Sequence, residues 1–393
     1  MQRGKFGTMR SGEPPISRRK VRDIRYCAHI DRCVYQRYAF LIDAAYNRQV
    51  KNTPVDECAI AYRTNKGRSN IDYAKEVFSF IEKQESCVIV VSDFADFFEG
   101  VDHLFLKRAL CEVLNCSVLP PDYYAVFKNS TRYSCWEWKD LLELNGLAND
   151  HSARKKMNER ETILPYEIFK QQVKGKTTRN DTGHGIPQGS PLSAVLSNVY
   201  LKELDGDLST LVGASGDLYR RYCDDVPMVL PVANGDVAGA LSDAKRAYSL
   251  IASYPGVRVQ QEKTKSLLFL RLGEVGSLFE VDRKGRVADK PTRLDYLGFS
   301  FDGANIRIRA KTVGKYYYRM GRKARVAVRQ GRGFERLYAR YSEKSWDIDG
   351  KGSFVDYAKR AMGAMDLEDP TALSIAKHSM EKIAKARNRA SEE

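Results

Sequence analysis

The chain has 393 residues, 43% of them hydrophobic and 10% aromatic, which is apolar material for a large core or two to three domains and argues for a folded globular protein, not a disordered one. Its 65 Lys and Arg against 50 Asp and Glu leave a formal charge of +15 and an isoelectric point near 9.3, so a polyanionic partner is expected. No apolar run approaches the ~18 residues of a membrane span, and the first residues lack the apolar core of a secretion signal. The eight cysteines show no C-x-x-C pair and no Cys/His cluster, which fits free thiols in a reducing cytoplasm and argues against a zinc site or a disulfide framework.

In chain order, residues 1–25 are a basic arm containing Pro and Gly. DRCVYQRYAFLIDAAY, residues 31–46, repeats apolar residues at helical spacing, with Asp31 as its expected N-cap. A second helix is expected from Ser69 or Asn70 through Ile81, after a turn at Gly67. CVIVVSDF, 87–94, is a β-branched run that ends on an acid and predicts a buried strand. Asp102 is placed to cap a helix through Leu110. Residues 115–182, with Trp136 and Trp138, are polar and without clear periodicity, and predict no particular chemistry. The stretch 185–205 passes from a Gly/Pro turn into an apolar-periodic helix. Residues 217–231, DLYRRYCDDVPMVLP, read as two short strands about a tight turn, and Pro227 implies a bulge or an edge position there. An amphipathic helix over 238–253, a strand pair or strand-turn segment after it, and a hairpin over 294–303 follow. In that hairpin Tyr296 and Phe299 are expected to pack. Strands alternating with helices without a regular β-α repeat predict an α+β fold.

The charge is concentrated at the end. Between residues 304 and 344 there are 13 basic residues against two acidic ones, interleaved with Tyr316, Tyr317, Tyr318, Phe334 and Tyr338. Cations mixed with aromatics suit a nucleic-acid backbone and its bases. The five histidines are scattered and are read as structural.

RYCDDVPMVL, residues 221–230, sets two carboxylates side by side inside an apolar run. Both cannot be buried as anions without compensation. A divalent cation removes the conflict, and phosphoryl transfer by paired ions, roughly 3.5–4 Å apart, needs carboxylates from separate segments. Asp93, at the end of its own apolar strand, is the other candidate. The expectation is that Asp93 and Asp224 share two ions, with Asp225 beside them.

DFADFF (93–98), GIPQGSPLSAVLSNVYL (185–201) and YCDD (222–225), in this order, resemble the palm motifs of reverse transcriptases. KVRDIRYCAHIDR (20–32) and AYRTNKGRSNI (61–71) are similar to fingers motifs of that family, EKTK (262–265) to the motif with a palm lysine, and LDYLGF (294–299) to the primer grip. The resemblance implies a right-hand polymerase with fingers over 1–85, a palm over 86–303 carrying a helical insertion at about 103–182, and a basic helical thumb over 304–393. It implies an RNA-directed DNA polymerase with two Mg²⁺ ions, or Mn²⁺, held by Asp93, Asp224, Asp225 and the carbonyl of Phe94.

Phe98 would be the steric gate that selects dNTPs. Gln188 and Gly189 would let backbone approach the incoming nucleotide. Lys20, Arg22 and Arg63 would neutralise its triphosphate, Lys263 would protonate the leaving pyrophosphate, and Tyr222 would contact the primer. Within the family the chain looks most like bacterial defence-associated enzymes, including the abortive-infection type. That implies anti-phage defence, a non-coding RNA template, a DNA product, a cytoplasmic location and no membrane, and leaves homo-oligomerisation open. A retron enzyme, template-independent or protein-primed DNA synthesis, and a non-catalytic RNA-binding protein on the same scaffold are the competing readings.

Overall fold

The computed structural model describes residues 23–341 and 353–392, apart from 149, 151, 214–215, 261, 263, 283 and 368–369. Helix and sheet are mixed, and every strand pairing in the central sheet is antiparallel, in keeping with the α+β expectation. The first long helix, α1 (His29–Val50), starts at an Ala28 cap. Asp31 therefore does not cap it but lies in its first turn, where a carboxylate still meets the positive end of the helix dipole. Helix α2 (Asn70–Glu82) begins where expected, because Ser69 and Asp72 form a reciprocal capping box.

Strand β1 (Ser86–Asp93) lies at the heart of a six-stranded sheet ordered β2-β3-β1-β4-β5-β6, with β2 (Leu218–Tyr219), β3 (Asp225–Pro231), β4 (Lys265–Leu272), β5 (Val275–Val281) and β6 (Val287–Pro291). Both faces of β1 are covered, which is why its sequence is continuously apolar rather than alternating. Val88 and Val90 enter one core, with Val226 and Met228 of β3 and the helices α1, α3 (His103–Val113), α4 (Pro191–Tyr200), α5 (Lys202–Gly213) and α6 (Val237–Ser253). Cys87 and Ile89 enter a second core.

That second core is built by α2, a three-stranded sheet and C-terminal helices. The small sheet is β7 (Leu294–Tyr296), β8 (Phe299–Phe301) and β9 (Ile306–Ile308), and the helices include α7 (Ala310–Arg329) and α8 (Phe354–Met365). Tyr296 and Phe299 are 3% and 0% exposed within it, so they pack as expected. The β7–β8 turn takes Leu297 and Gly298 at φ 44° and 97°, the left-handed pair of a primed two-residue hairpin. It is pinned by Asn70, whose Nδ2 donates to the Leu297 carbonyl and to the Tyr357 hydroxyl, each at 2.9 Å.

Pro227 sits neither at a bulge nor on an edge. Its strand runs between β2 and β1, and Pro227 is in unbroken register with Val91. Strand β2 stops at Tyr219, opposite Met228, so the proline lies one residue past the end of that ladder, and its carbonyl accepts the Arg220 N–H at 3.2 Å. A missing donor costs little at a place where the partner strand has already ended.

Residues 115–182 fold into short helices and a two-stranded sheet pairing Ser134–Trp136 with Thr177–Arg179. The helices Trp138–Leu144 and Tyr166–Lys176 bury no residue, which accounts for the lack of a hydrophobic period in their sequence. Among the described residues no helix is long and apolar enough to cross a membrane.

Candidate active site

The acidic residues meet where β1 and β3 end. The register sets Asp93 opposite Asp225, and the Phe94 N–H donates to the Asp224 carbonyl at 3.2 Å. Between β2 and β3, Tyr222 and Asp225 exchange backbone hydrogen bonds of 2.8 and 3.1 Å across a two-residue turn, with Cys223 at φ 61°. A non-glycine residue there is strained and must be held by its surroundings. On the other side of β1, the Gln260 N–H donates to the Asp93 carbonyl at 2.9 Å and the Ala95 N–H to the Arg258 carbonyl at 2.7 Å.

The side chains converge as well. The Asp224 carboxyl is pushed above its ordinary range by burial, and further by the charge of Asp93, to which it is hydrogen-bonded. Two carboxylates that close compete for one set of compensating charge. The charge of Asp225 is felt by Tyr222 and by the buried Tyr296. Among the described residues no group of three or more His, Cys, Asp and Glu side chains forms a ready ligand cage. The joined pair is Asp93 and Asp224, with Asp225 their neighbour across the strands.

Beneath the turn lies a charged core. Arg221 is fully buried and grips Asp205 with two bonds, Nε to Oδ1 at 2.7 Å and Nη2 to Oδ2 at 2.6 Å. Burial opposes its charge, but Asp205 holds the guanidinium protonated well above the usual range. Its remaining donors reach Asn198 Oδ1 and the Cys223 carbonyl, both at 3.2 Å. Tyr219 donates to Asp205 Oδ1 at 2.7 Å. The strained turn is thus tied from below to helices α4 and α5.

Tyr62 covers the turn from the other side. Its hydroxyl is hydrogen-bonded to the Cys223 sulfur, and burial first, then its neighbours Cys223 and Asp224, push its ionisation upward. Its ring stands 6.5 Å from that of Tyr222 and is still 45% exposed.

The other expected residues fall out differently. Phe98 is half-buried against Phe97, and its carbonyl accepts the Ile186 N–H at 2.8 Å, so the segment after Asp93 is sewn to the Gly/Pro turn. In that turn the Gln188 carbonyl accepts the Arg25 N–H at 2.9 Å. Gly189, at φ 105°, has no room for a Cβ: one would come within 2.8 Å of the Arg25 carbonyl and 2.9 Å of Ile24 Cγ2. The close approach that glycine permits here is one made by the chain's own residues 24–25.

Arg63 requires a correction. Its side chain has no exposure, bonds Asp56 Oδ1 at 2.5 Å, Asn47 Oδ1 at 2.7 Å and the Asp56 carbonyl at 2.8 Å, and faces the Tyr46 ring. With its donors committed inside the protein, it is a fold residue and not a triphosphate ligand. Lys20, Arg22 and Lys263 lie outside the described residues.

Helix α7 carries the concentrated charge. Val313, Tyr316, Met320, Ala324 and Ala327 are buried, while Lys311, Lys315, Tyr318, Arg319, Arg322 and Arg329 are exposed, giving one cationic face with an aromatic in it.

Solved structures similar to this chain include telomerases. They include apo telomerase from Candida tropicalis truncated from the C-terminal domain, at 13% identity and TM-score 0.45, covering 71% of this chain and 47% of that one. Telomerase from Candida albicans in complex with the TWJ fragment of telomeric RNA matches at 14% identity and TM-score 0.41, over 91% of this chain and 53% of that one. Apo telomerase from C. tropicalis matches at 13% identity and TM-score 0.42, over 91% and 51%. The chain spans about half the length of the solved structures it matches. No family model matches it, and no curated protein does.

Sequence reasoning missed Arg221, Asp205 and Tyr62. Arg221 stands immediately before the YCDD stretch and reads as one more surface cation; its partner, Asp205, lies 16 residues away on another element. Tyr62 adjoins Arg63 in a motif where attention went to the charge. The available signal was Arg221 itself, since a cation inside an otherwise apolar strand pair needs a buried acid.

Proposed function

We propose that the chain is an RNA-directed DNA polymerase that joins a primer 3′-hydroxyl to the α-phosphate of a dNTP at Asp93 and Asp224. The observation that carries this reading is the contact between those two carboxyls at the ends of neighbouring antiparallel strands. It is supported by the ordered motifs around them and by the cationic, tyrosine-bearing face of α7.

The donor set fits a hard divalent ion: two carboxyl oxygens pressed together, one of them raised by burial and by the other, form a site whose conflict a cation relieves. Mg²⁺ uses one or two carboxylates, water and substrate phosphates, not an all-protein cage, so a two-acid site suits it, and Mn²⁺ has the same donor preference. Bound there, a pair of such ions supplies charge neutralisation at the phosphate and a more acidic attacking hydroxyl.

The remaining roles belong to the protein's own groups. Asp93 and Asp224 would hold the ions with the Phe94 carbonyl, and Asp225 would support them. Arg221 would keep the Cys223 turn in its strained shape, so that the Asp224 carboxyl is aimed before substrate arrives. The Phe98 ring would stand where a ribose 2′-hydroxyl has to go. Tyr222, with Tyr62 beside it, would offer ring surface to the primer end, and Lys263 would serve as general acid. The α7 face would track the template-primer backbone, as a thumb does beside a palm and fingers. The motif pattern also leads us to propose a bacterial anti-phage setting with a non-coding RNA as template.

The test is primer extension on an RNA template by the full chain with dNTPs, comparing wild type with Asp93→Asn and Asp224→Asn, together with sequencing of co-purified RNA and DNA. Wild type should extend and carry DNA; the variants should keep the RNA and lose the DNA. Equal DNA in all three would overturn the catalytic assignment.

A further inference from the structure

Two cysteines away from the acidic site are brought together by a helix ending. Helix α3 closes with Asn115 in the left-handed region, at φ 53°. The Asn115 N–H donates to the Glu112 carbonyl and the Cys116 N–H to the Cys111 carbonyl, each at 3.0 Å. This bond pair defines a Schellman cap, in which the side chains at the two ends of the six-residue turn meet in an apolar contact. Here both positions are cysteine.

The thiols are in contact. The two side chains are hydrogen-bonded to each other, and Cys116 Sγ lies 3.6 Å from the Cys111 carbonyl. Two residues joined by a direct N–H···O=C bond cannot have Cα atoms more than about 7 Å apart, which is the outer limit for a disulfide. Cys58, Cys87 and Cys223 are buried, whereas Cys111 and Cys116 are half-buried. They open on a cavity of about 390 Å³ that Gln49, Asn115, Ser117 and Lys202 also line. Lys202 reaches Gln49 Oε1 at 3.2 Å and Glu112 Oε2 at 3.5 Å, placing a cation at the mouth.

We propose that Cys111 and Cys116 form a redox-modifiable dithiol that closes reversibly to an intramolecular disulfide by exchange with a small disulfide. In the first step one of the two thiolates attacks the small disulfide, making a mixed disulfide and releasing one small thiol. The second thiolate then attacks the protein sulfur of the mixed disulfide, forming the Cys111–Cys116 bond and expelling the second small thiol. The protein loses two electrons and two protons; the reagent gains them as two thiols. The cap favours closure because its backbone bonds already hold the two residues side by side before reaction.

The pair falls in one tryptic peptide, residues 109–128, so the test is direct. The full-length protein is incubated with oxidised glutathione, then with excess reduced glutathione, and free thiols are alkylated before digestion and mass spectrometry. After oxidation this peptide should be lighter than the dithiol form by two hydrogen atoms and carry no alkyl group at either cysteine, and reduction should restore both thiols to alkylation. Cys116→Ser should give glutathione on Cys111, or no modification, and never the lighter peptide. A wild-type peptide that keeps glutathione on either cysteine without the internal bond, or that alkylates after oxidation as fast as before, would overturn the proposal. Reaction confined to the exposed Cys33 would overturn it equally.

Discussion

Arg221 and Asp205 face each other as a two-bond fork, at 2.7 and 2.6 Å, and neither side chain has any exposure. Such a pair is costly to break from one side, because the survivor is a buried charge without its counter-ion. Arg221→Met should therefore lower unfolding free energy by about 3–5 kcal/mol. The double variant Arg221→Met, Asp205→Leu should recover much of that loss, since an apolar pair leaves no charge behind. Urea unfolding of the three proteins decides it; equal losses in the single and double variants would show that the ion pair is not the source.

The Asp93–Asp224 contact predicts an opposite pattern, with activity lost and stability kept. Asp224→Asn removes one of two carboxyls that burial and mutual charge place in conflict. Extension activity should fall by about 10³-fold, while the melting temperature holds or rises. A parallel collapse of activity and melting temperature would instead mark Asp224 as a residue of the fold.

Arg63 separates charge that binds substrate from charge that binds the protein. Its guanidinium bridges Asp56, Asn47 and the Ala59 carbonyl. Arg63→Gln should cost about 2–4 kcal/mol of stability and leave KM for dNTP unchanged in the folded fraction. A tenfold rise in KM at unchanged stability would restore it to the nucleotide.

What could be read from the sequence was what short-range chemistry fixes. The strand around Ile89 is legible because both its faces are buried, and α2 because Ser69 and Asp72 are three residues apart. The 217–231 hairpin follows from its two apolar runs, and a hairpin over 294–303 was likewise legible. The acidic pair was legible because adjacent aspartates in an apolar run demand a reason. Strand β6 was not: all five of its residues are exposed, and pairing with β5 holds it in place. The Arg221–Asp205 pair was hidden because nothing local tells a buried arginine from an exposed one. Arg63 misled for the same reason, and the packing of residues 24–25 against Gly189 was hidden because they reach it from far along the chain.

Phe98 gives a test of substrate selection. It lies five residues after Asp93, and its backbone is fixed by the bond to Ile186, so shortening the side chain opens space without freeing the segment. Phe98→Ala should raise kcat/KM for a ribonucleotide relative to the matching dNTP by about 10–100-fold. Single-nucleotide incorporation with paired dNTP and rNTP measures the ratio, and an unchanged ratio removes Phe98 from the role of gate.

Asp217 offers a pH test remote from the acidic pair. Burial, and then the charge of Asp243, push its carboxyl from 3.8 up to about 6. The native state therefore holds this proton more tightly than the unfolded chain does, and stability falls as pH rises from about 4 through 6. Above that window the ionised form is a standing cost. Asp217→Asn removes it, and after a discount for solvent screening at this partly exposed site the gain at pH 7 should be on the order of 1 kcal/mol. Below about pH 3 wild-type Asp217 is largely protonated in both states, so the gain should all but vanish there. Urea unfolding at pH 7 and at about pH 3 measures both ends: an equal gain at the two values would mean that the asparagine acts through packing, because only an ionisation effect disappears when the proton is already bound.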